Sequence, residues 1–415
     1  MKIKQYFRKY LIFLKKKVTL PSIMKEKIIK LNDIKKINLQ AVLDLLLQTE
    51  GLSRIELAKK IGCDNTTISR AVRQLIERGI IVQGEKAAQG HGRPRIALRI
   101  NPDGPLLMGI SLEAERITGV LTDLRGNVKI RDQVIFAEKT SKNTFLDTIK
   151  AVIGRLKKNA GSQLMGIGAA VFGSYAGPEI TISNAAAMPD LNGMAMRPFF
   201  SETAGTDVVI CDHLVSEMSF LASVRPKLNT GMVMLVSLGS GIGSLIAENG
   251  RLLFARNNHA SELGHSIYVP DGIPCSCGRK GCLETVASLR VLRELCRQKL
   301  NNPDLSYDEL CMILQGGRDG GVLDSELDRV ARFLGLAISN QINNYPADSL
   351  VITGRMLKLG IRFQSILKKR ITENLFASIA AELRMEFIPT DFDNSLARGA
   401  AVFAGKTAFK SFESV

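Results

Sequence analysis

Three cysteines and a histidine lie close enough in the sequence to share one metal ion. Cys275, Cys277 and Cys282 follow the pattern Cys-x-Cys-x4-Cys, and His265 precedes them by ten residues. Thiolate sulfur and imidazole nitrogen are the ligands zinc prefers, and three Cys plus one His complete a tetrahedral shell. A complete shell leaves no position for water, so the ion expected here is a structural Zn2+ rather than a hydrolytic one. Gly278 and Gly281 let the chain turn tightly between the sulfurs, while Arg279 and Lys280 offset the charge of three thiolates. Three free cysteines in an ordinary loop are the alternative. The close spacing, the glycines and the upstream His weigh against it.

The same stretch carries a resemblance. Glu262-x-Gly264-His265, followed by Cys-x-Cys-Gly-x-x-Gly-Cys-Leu-Glu, resembles the signature of the ROK family, which holds repressors, uncharacterised reading frames and sugar kinases. The resemblance implies that Glu262, His265 and Glu284 contact sugar hydroxyls, and that His265 also ligates the zinc. Carboxylates accept paired hydrogen bonds from vicinal hydroxyls, and a metal fixes the tautomer and direction of an imidazole. Asp190 and Asn192, in Asp190-Leu191-Asn192-Gly193, stand at the sugar contact the family writes Asn-Leu-x-Gly. Asp212 stands where the kinases keep a catalytic base in an Asn-Asp pair, but Cys211 precedes it here. It is therefore expected as a vestigial base that still binds the sugar.

The nucleotide side departs further. The family's first phosphate turn, Asp-x-Gly-Gly-Thr, reads Ser111-Leu112-Glu113-Ala114-Glu115. Glycines there let backbone amides reach phosphate oxygens, whereas two carboxylates would repel a triphosphate. The second turn, Gly239-Ser240-Gly241-Ile242-Gly243, keeps its glycines, but any tight hairpin uses glycine. No phosphoryl transfer is expected. An active sugar kinase with an appended DNA-binding head is the alternative, and the first phosphate turn separates the two readings.

These residues need a scaffold, and 415 residues at 45% hydrophobic and 23% charged give room for two or three globular domains. No apolar run approaches the roughly 18 residues of a membrane span. The apolar core of the opening segment, Tyr10 to Leu14, is too short for a signal peptide. Seven cysteines, partly taken by metal, fit a reducing cytoplasm rather than a disulfide framework. The net charge of +16 is uneven: residues 1–100 hold 22 Lys and Arg against 8 Asp and Glu, and the remainder holds 34 against 32. Such asymmetry predicts a nucleic-acid-binding head on a near-neutral body. A membrane-surface head is the rival, supported by the basic, partly apolar residues 1–20.

Residues 1–31 read as a basic disordered arm. The part before Met24 has no counterpart in the family, which makes Met24 an alternative start of translation. Residues 32–102 read as a winged helix-turn-helix. The apolar spacing of Leu39, Val42, Leu43 and Leu46 predicts a first helix. Ser53-Arg54-Ile55-Glu56 is a capping box opening a second that stops at Gly62, and Asp64 caps a third. The third helix would enter the major groove. Its DNA-facing candidates are Asn65, Thr66, Thr67, Ser69, Arg70 and Arg73, with Ser53 and Arg54 at the start of the helix before it. Strands around 80–82 and 96–100 form the wing. Gly92-Arg93-Pro94-Arg95 resembles the Gly-Arg-Pro core of AT-hooks and would place Arg93 and Arg95 in a narrow minor groove.

From Pro105 the pattern is α/β. Strands are expected at 106–110, 117–122, 129–135, 164–171, 232–237, 350–352 and 384–388, and helices at 143–157, 288–299, 323–343 and 360–376. The resemblance implies a two-lobed actin-like ATPase fold of the sugar kinase and RNase H type. Residues 103–225 form its first lobe, 226–391 its second lobe with the zinc loop, and a C-terminal helix over 392–410 packs back on the first. The expected function is a cytoplasmic transcriptional repressor of carbohydrate uptake or catabolism genes, from the repressor branch of the family. Its expected partners are a double-stranded DNA operator, a sugar or sugar-phosphate effector, and a second copy in a homodimer or dimer of dimers.

Overall fold

The computed structural model describes residues 31–87, 95–136, 140–253, 260–389 and 392–411. The chain divides into two compact units, one running to Pro105 and taking in the residues from Ala408, the other spanning Leu106–Thr407. No helix among the described residues is long and apolar enough to cross a membrane.

The first unit is a winged helix-turn-helix. Helices α1 (Leu31–Gln48), α2 (Arg54–Ile61) and α3 (Asn65–Glu77) precede an antiparallel pair, β1 (Ile81–Ala87) and β2 (Arg95–Ile100). The Ser53 hydroxyl accepts from the Glu56 amide while the Glu56 carboxylate accepts from the Ser53 amide, so the predicted capping box forms. Gly62 ends α2 in the left-handed region at φ 80°. Asp64 then caps α3 through the Thr67 amide. Val42, Leu43 and Leu46 of α1 and Ile68, Val72 and Leu75 of α3 are fully buried. The pairing Ile81 to Ile100 and Gln83 to Leu98 builds the wing, with a register shift between Gln83 and Lys86. The basic arm and the wing tip with Arg93 lie outside the described residues, as does the side chain of Arg95.

The second unit carries one sheet topology twice. In the first lobe, β3 (Leu106–Glu113), β4 (Arg116–Thr122) and β5 (Val128–Ile135) form an antiparallel meander. Parallel to β3 and then to each other run β6 (Leu164–Val171) and β9 (Val209–Asp212), giving the order β5-β4-β3-β6-β9. Between them come α4 (Lys142–Ala160), a small hairpin of β7 (Ser174–Ala176) and β8 (Thr181–Asn184), and α5 (Met196–Ala204). The chain continues as α6 (His213–Val224). The second lobe repeats the plan with β10 (Met232–Leu238), β11 (Ile242–Glu248), β12 (Arg251–Leu253), β13 (Ser349–Thr353) and β14 (Arg384–Phe387), in the order β12-β11-β10-β13-β14. Its helices are α7 (Glu284–Ala287), α8 (Leu289–Leu300), α9 (Tyr307–Gln315), α10 (Asp324–Asn344), α11 (Ile361–Asn374) and α12 (Ala377–Glu382). Right-handed crossovers between parallel strands force helices onto the sheet faces, and two such lobes are the actin-like sugar kinase fold.

The last helix, α13 (Phe392–Ser411), packs on the first lobe. Its backbone lies directly on the sheet. A Cβ at Gly109 would fall 1.8 Å from the Ala397 carbonyl oxygen, and one at Gly168 would fall 2.0 Å from that of Ala400. Only glycine fits at these two strand positions.

Candidate functional site

The four predicted metal ligands converge. One donor atom from each of His265, Cys275, Cys277 and Cys282 lies within 4.8 Å of the others. Cys277 Sγ is 3.6 Å from Cys282 Sγ, and His265 Nδ1 is 3.5 Å from Cys275 Sγ. Ligands about 2.3 Å (sulfur) and 2.0 Å (nitrogen) from a tetrahedral zinc stand at separations of this order. The loop is held by backbone hydrogen bonds from Cys275 to Arg279 and from Gly278 to Cys275, and by the bridge of Ile267 to Cys282. Gly281 is obligatory, at φ 71° with the Val269 carbonyl 1.6 Å from any Cβ.

The charge balance also suits a cation. Burial raises the Cys277 thiol, but hydrogen bonds from the Arg279 backbone and side chain and from the neighbouring cysteines bring it down to about 6. Burial first, and then the sulfurs of Cys277 and Cys275, push Cys282 up to about 12. The protein alone favours one thiolate and penalises the next. A divalent ion removes that penalty, which is the fit expected of a metal site.

His265 connects this loop to the candidate effector carboxylates. Its Nδ1 faces Cys275, while its Nε2 lies 3.9 Å from the Glu262 carboxylate. Glu262 Oε1 accepts from the Ser174 hydroxyl of the first lobe at 2.7 Å. Glu284, at the start of α7, accepts from the Ile242 amide at 2.9 Å. Burial, reinforced by the like charge of Glu262, raises its pKa above the ordinary glutamate value even though the Ile242 amide opposes this. Gly241 and Gly243 of the second turn, and Gly264 beyond it, have packing reasons of their own. A Cβ at Gly243 would meet Leu214 at 2.4 Å, one at Gly241 would lie 3.2 Å from Glu284 Oε1, and Gly264 is closed by the Ile242 carbonyl at 2.4 Å.

Asp212 is deeply placed. It caps α6 through the Val215 amide at 2.7 Å, and its other oxygen accepts from the Ala260 amide of the second lobe. Both carboxylate oxygens therefore hold backbone, an anchoring role that the expectation of a vestigial base did not include. Asp190 and Asn192 are exposed. Asn192 Oδ1 accepts from the Ala185 amide, so this side chain braces the loop after β8.

The first phosphate turn is a two-residue hairpin between β3 and β4. Glu113 pairs with Arg116 at 3.0 Å, and Glu115 with Arg355 of the second lobe at 3.6 Å. His213 Nε2 bonds the Leu112 carbonyl at 2.8 Å, and burial holds its imidazole below the ordinary range. Ion pairs thus fill the place where family kinases present amides to phosphate. Sequence reasoning missed Ser174, Ala260, His213 and Arg355. Ser174 and Arg355 come from segments with no motif, whereas His213 and Ala260 flank the Asp212 and Glu262 positions, and Ala260 acts through its backbone.

On the DNA-binding unit, Asn65, Thr66, Arg70 and Arg73 are exposed and Ser69 half-buried. Thr66, Ser69, Arg70 and Arg73 recur at helical spacing on one face of α3. Two candidates are already engaged. Ser53 is 5% exposed and spent on its cap, and the Thr67 hydroxyl donates to Asp64 at 2.7 Å. Arg54 is half-buried, with an Nε that has no hydrogen-bond partner among the described residues.

Comparison with known proteins agrees with both units. Residues 107–407 match the ROK family, and residues 39–83 match the MarR family. The xylose repressor of Bacillus subtilis (strain 168) is 23% identical over 352 residues, covering 83% of this chain and 89% of its own. The DNA-binding transcriptional dual regulator NagC of Escherichia coli (strain K12) is 26% identical over 343 residues, covering 78% and 81%. A crystal structure of a ROK family transcriptional regulator, a homologue of the E. coli MLC protein, superposes with a TM-score of 0.77 at 22% identity, over 91% of this chain and 98% of that one. A ROK family glucokinase from Streptomyces griseus in complex with glucose and AMPPNP gives 0.59 at 19% identity, over 72% and 99%. The last two establish the fold.

Proposed function

The chain belongs to the ROK family, and from that premise we propose that it is a DNA-binding transcriptional repressor of carbohydrate uptake or catabolism genes. Its helix-turn-helix binds a double-stranded operator. Its effector is a sugar or sugar derivative held in the cleft by Glu262, His265 and Glu284, and not phosphorylated. The curated relatives above, which span four-fifths or more of their own length here, are transcriptional regulators, and this supports the reading.

The observation that carries the absence of phosphoryl transfer is the first phosphate turn. Glu113 and Glu115 stand in it, engaged by Arg116 and Arg355. Positioning and charge stabilisation are nearly all that phosphoryl transfer asks of a protein. A turn carrying carboxylates supplies the wrong charge.

The loop ion is zinc, held by His265, Cys275, Cys277 and Cys282. When bound it supplies rigidity. His265 is then oriented with Nε2 toward Glu262, and the two carboxylates take vicinal hydroxyls as acceptors. Asp212 keeps the lobes in register through Ala260. Two copies form a homodimer in the cytoplasm, and lobe closure around the effector re-spaces its two heads on a two-fold operator.

The test is fluorescence anisotropy on DNA from the promoter of the neighbouring operon, without ATP, titrated with D-xylose, D-glucose, N-acetyl-D-glucosamine and the 6-phosphates of the last two. Release by one of them, with no ADP formed when ATP is added, is expected. Release only with ATP present would overturn the reading.

A further inference from the structure

Ser174 joins the two lobes at an effector carboxylate. It opens β7 directly after Gly173, which sits at φ 83° with the Asn184 carbonyl oxygen 2.5 Å from any Cβ. That turn and the pairing of Ser174 with Asn184 fix the hairpin, and the Ser183 hydroxyl donates to the Ser174 carbonyl at 3.1 Å. From this position the Ser174 hydroxyl donates to Glu262 Oε1 at 2.7 Å. Glu262 belongs to the second lobe, where its other oxygen lies 3.9 Å from His265 Nε2. One carboxylate is thus shared between a hydroxyl of one lobe and the metal-loop imidazole of the other.

A serine hydroxyl and a sugar hydroxyl offer the same groups, one O–H donor and two lone pairs. The bond to Glu262 has the length of an ordinary O–H donor on an acceptor oxygen. The inference below rests on the proposed reading of Glu262 as a sugar contact. We propose that Ser174 is an internal stand-in for a ligand hydroxyl: it occupies Glu262 in the unliganded protein, and the sugar displaces it, breaking a bond between the lobes. Ser174 is then a positioning residue that sets effector affinity through Glu262.

The direction of the effect distinguishes this role. Removing a hydroxyl that touches the ligand, or one that only supports the hairpin, weakens binding. Removing a competitor strengthens binding, because the ligand no longer displaces the bond that Ser174 makes to Glu262. A hydrogen bond to a charged group retains a net advantage over water, so the change is measurable.

The experiment is isothermal titration calorimetry of the full-length protein with the five compounds named above. Ser174→Ala and Ser174→Val lack the hydroxyl, whereas Ser174→Thr keeps it and matches Val in size. For whichever compound the wild type binds, Ala and Val are expected to tighten binding about 3- to 10-fold, with Thr close to wild type. Unchanged or weaker binding by Ala and Val overturns the stand-in role and leaves the sugar reading intact. Tightening by Thr equal to that by Val also overturns it, since bulk would then be the cause. Binding of none of the five by any of the four proteins overturns the stand-in and the sugar reading together.

Discussion

The guanidinium of Arg355 lies 3.6 Å from the carboxylate of Glu115, bridging the second lobe to the turn that in family kinases cradles phosphate. The pair is largely exposed, with the Glu115 side chain 73% accessible, so its contribution to stability is small. Its importance is positional. The turn carries two carboxylates, each paired with an arginine, where the family's phosphate turn has glycine and threonine. A coupled assay is expected to show no sugar-dependent ADP production approaching about 1 per second, the low end of ordinary turnover. The double change Glu113→Gly with Glu115→Thr is expected to stay inactive, because Cys211 replaces the Asn of the kinase pair and both oxygens of Asp212 already hold backbone. Turnover by the unaltered protein would establish the kinase reading.

The His/Cys3 cluster and the helix-turn-helix were legible because their information is local. Cysteine spacing, a capping box and Asp64 each specify geometry within a few residues. The resemblance located Glu262 and Glu284, but the sequence could not indicate that Ser174, 88 residues upstream, would meet Glu262. The duplicated sheet order was equally hidden. Topology repeats through hydrogen-bond pattern and crossover handedness, and Leu106–Glu113 and Met232–Leu238 need only share near-continuous burial to play equivalent parts. Ser53 was overread: the capping box that identified it consumes the hydroxyl that a DNA contact would need.

Metal content should be one zinc per chain by elemental analysis. Cys277→Ser should lose most of it, since three protein ligands close the shell less firmly than four. Stripping the ion with a chelator should lower the thermal midpoint and, on the proposed reading of His265 as an effector contact, also weaken effector binding. Zinc content unaltered by Cys277→Ser would remove that residue from the ligand set.

The second lobe holds a buried ion pair outside the site. Arg362 donates to Asp319 at 2.7 Å and to Asp324 at 2.6 Å, and the Asp319 side chain is fully shielded from solvent. Arg362→Ala leaves that carboxylate unpaired and should cost about 2–4 kcal/mol in denaturant unfolding. The hydrogen bond from Arg362 holds Asp319 below the ordinary aspartate value. A depressed folded-state pKa gives stability that is present above the unfolded value, about 3.9, and lost as pH falls through the lower folded one. The gap between wild type and variant should therefore be full near neutrality and shrink below about pH 4. A gap that grew on acidification would contradict this assignment.

Operator binding should be steeply salt-dependent and centred on α3. The first 100 residues carry most of the net charge, and Arg70 and Arg73 stand exposed on the same helix face as Thr66. A dimer touching several phosphates with each head should give a slope of log K against log salt of roughly −5 to −9. Arg70→Ala separates two kinds of contact. If Arg70 reads a base edge, the loss on the operator should exceed that on random DNA by about 1–3 kcal/mol. An equal loss on both would assign Arg70 to a phosphate and leave Asn65 and Thr66, exposed at the start of α3, as the base readers. Thr67 would not join them, because its hydroxyl already donates to the Asp64 carboxylate that caps the helix. Binding that persisted without residues 38–100, or that showed no salt slope, would move the interface off this unit and leave its basic charge to a membrane surface.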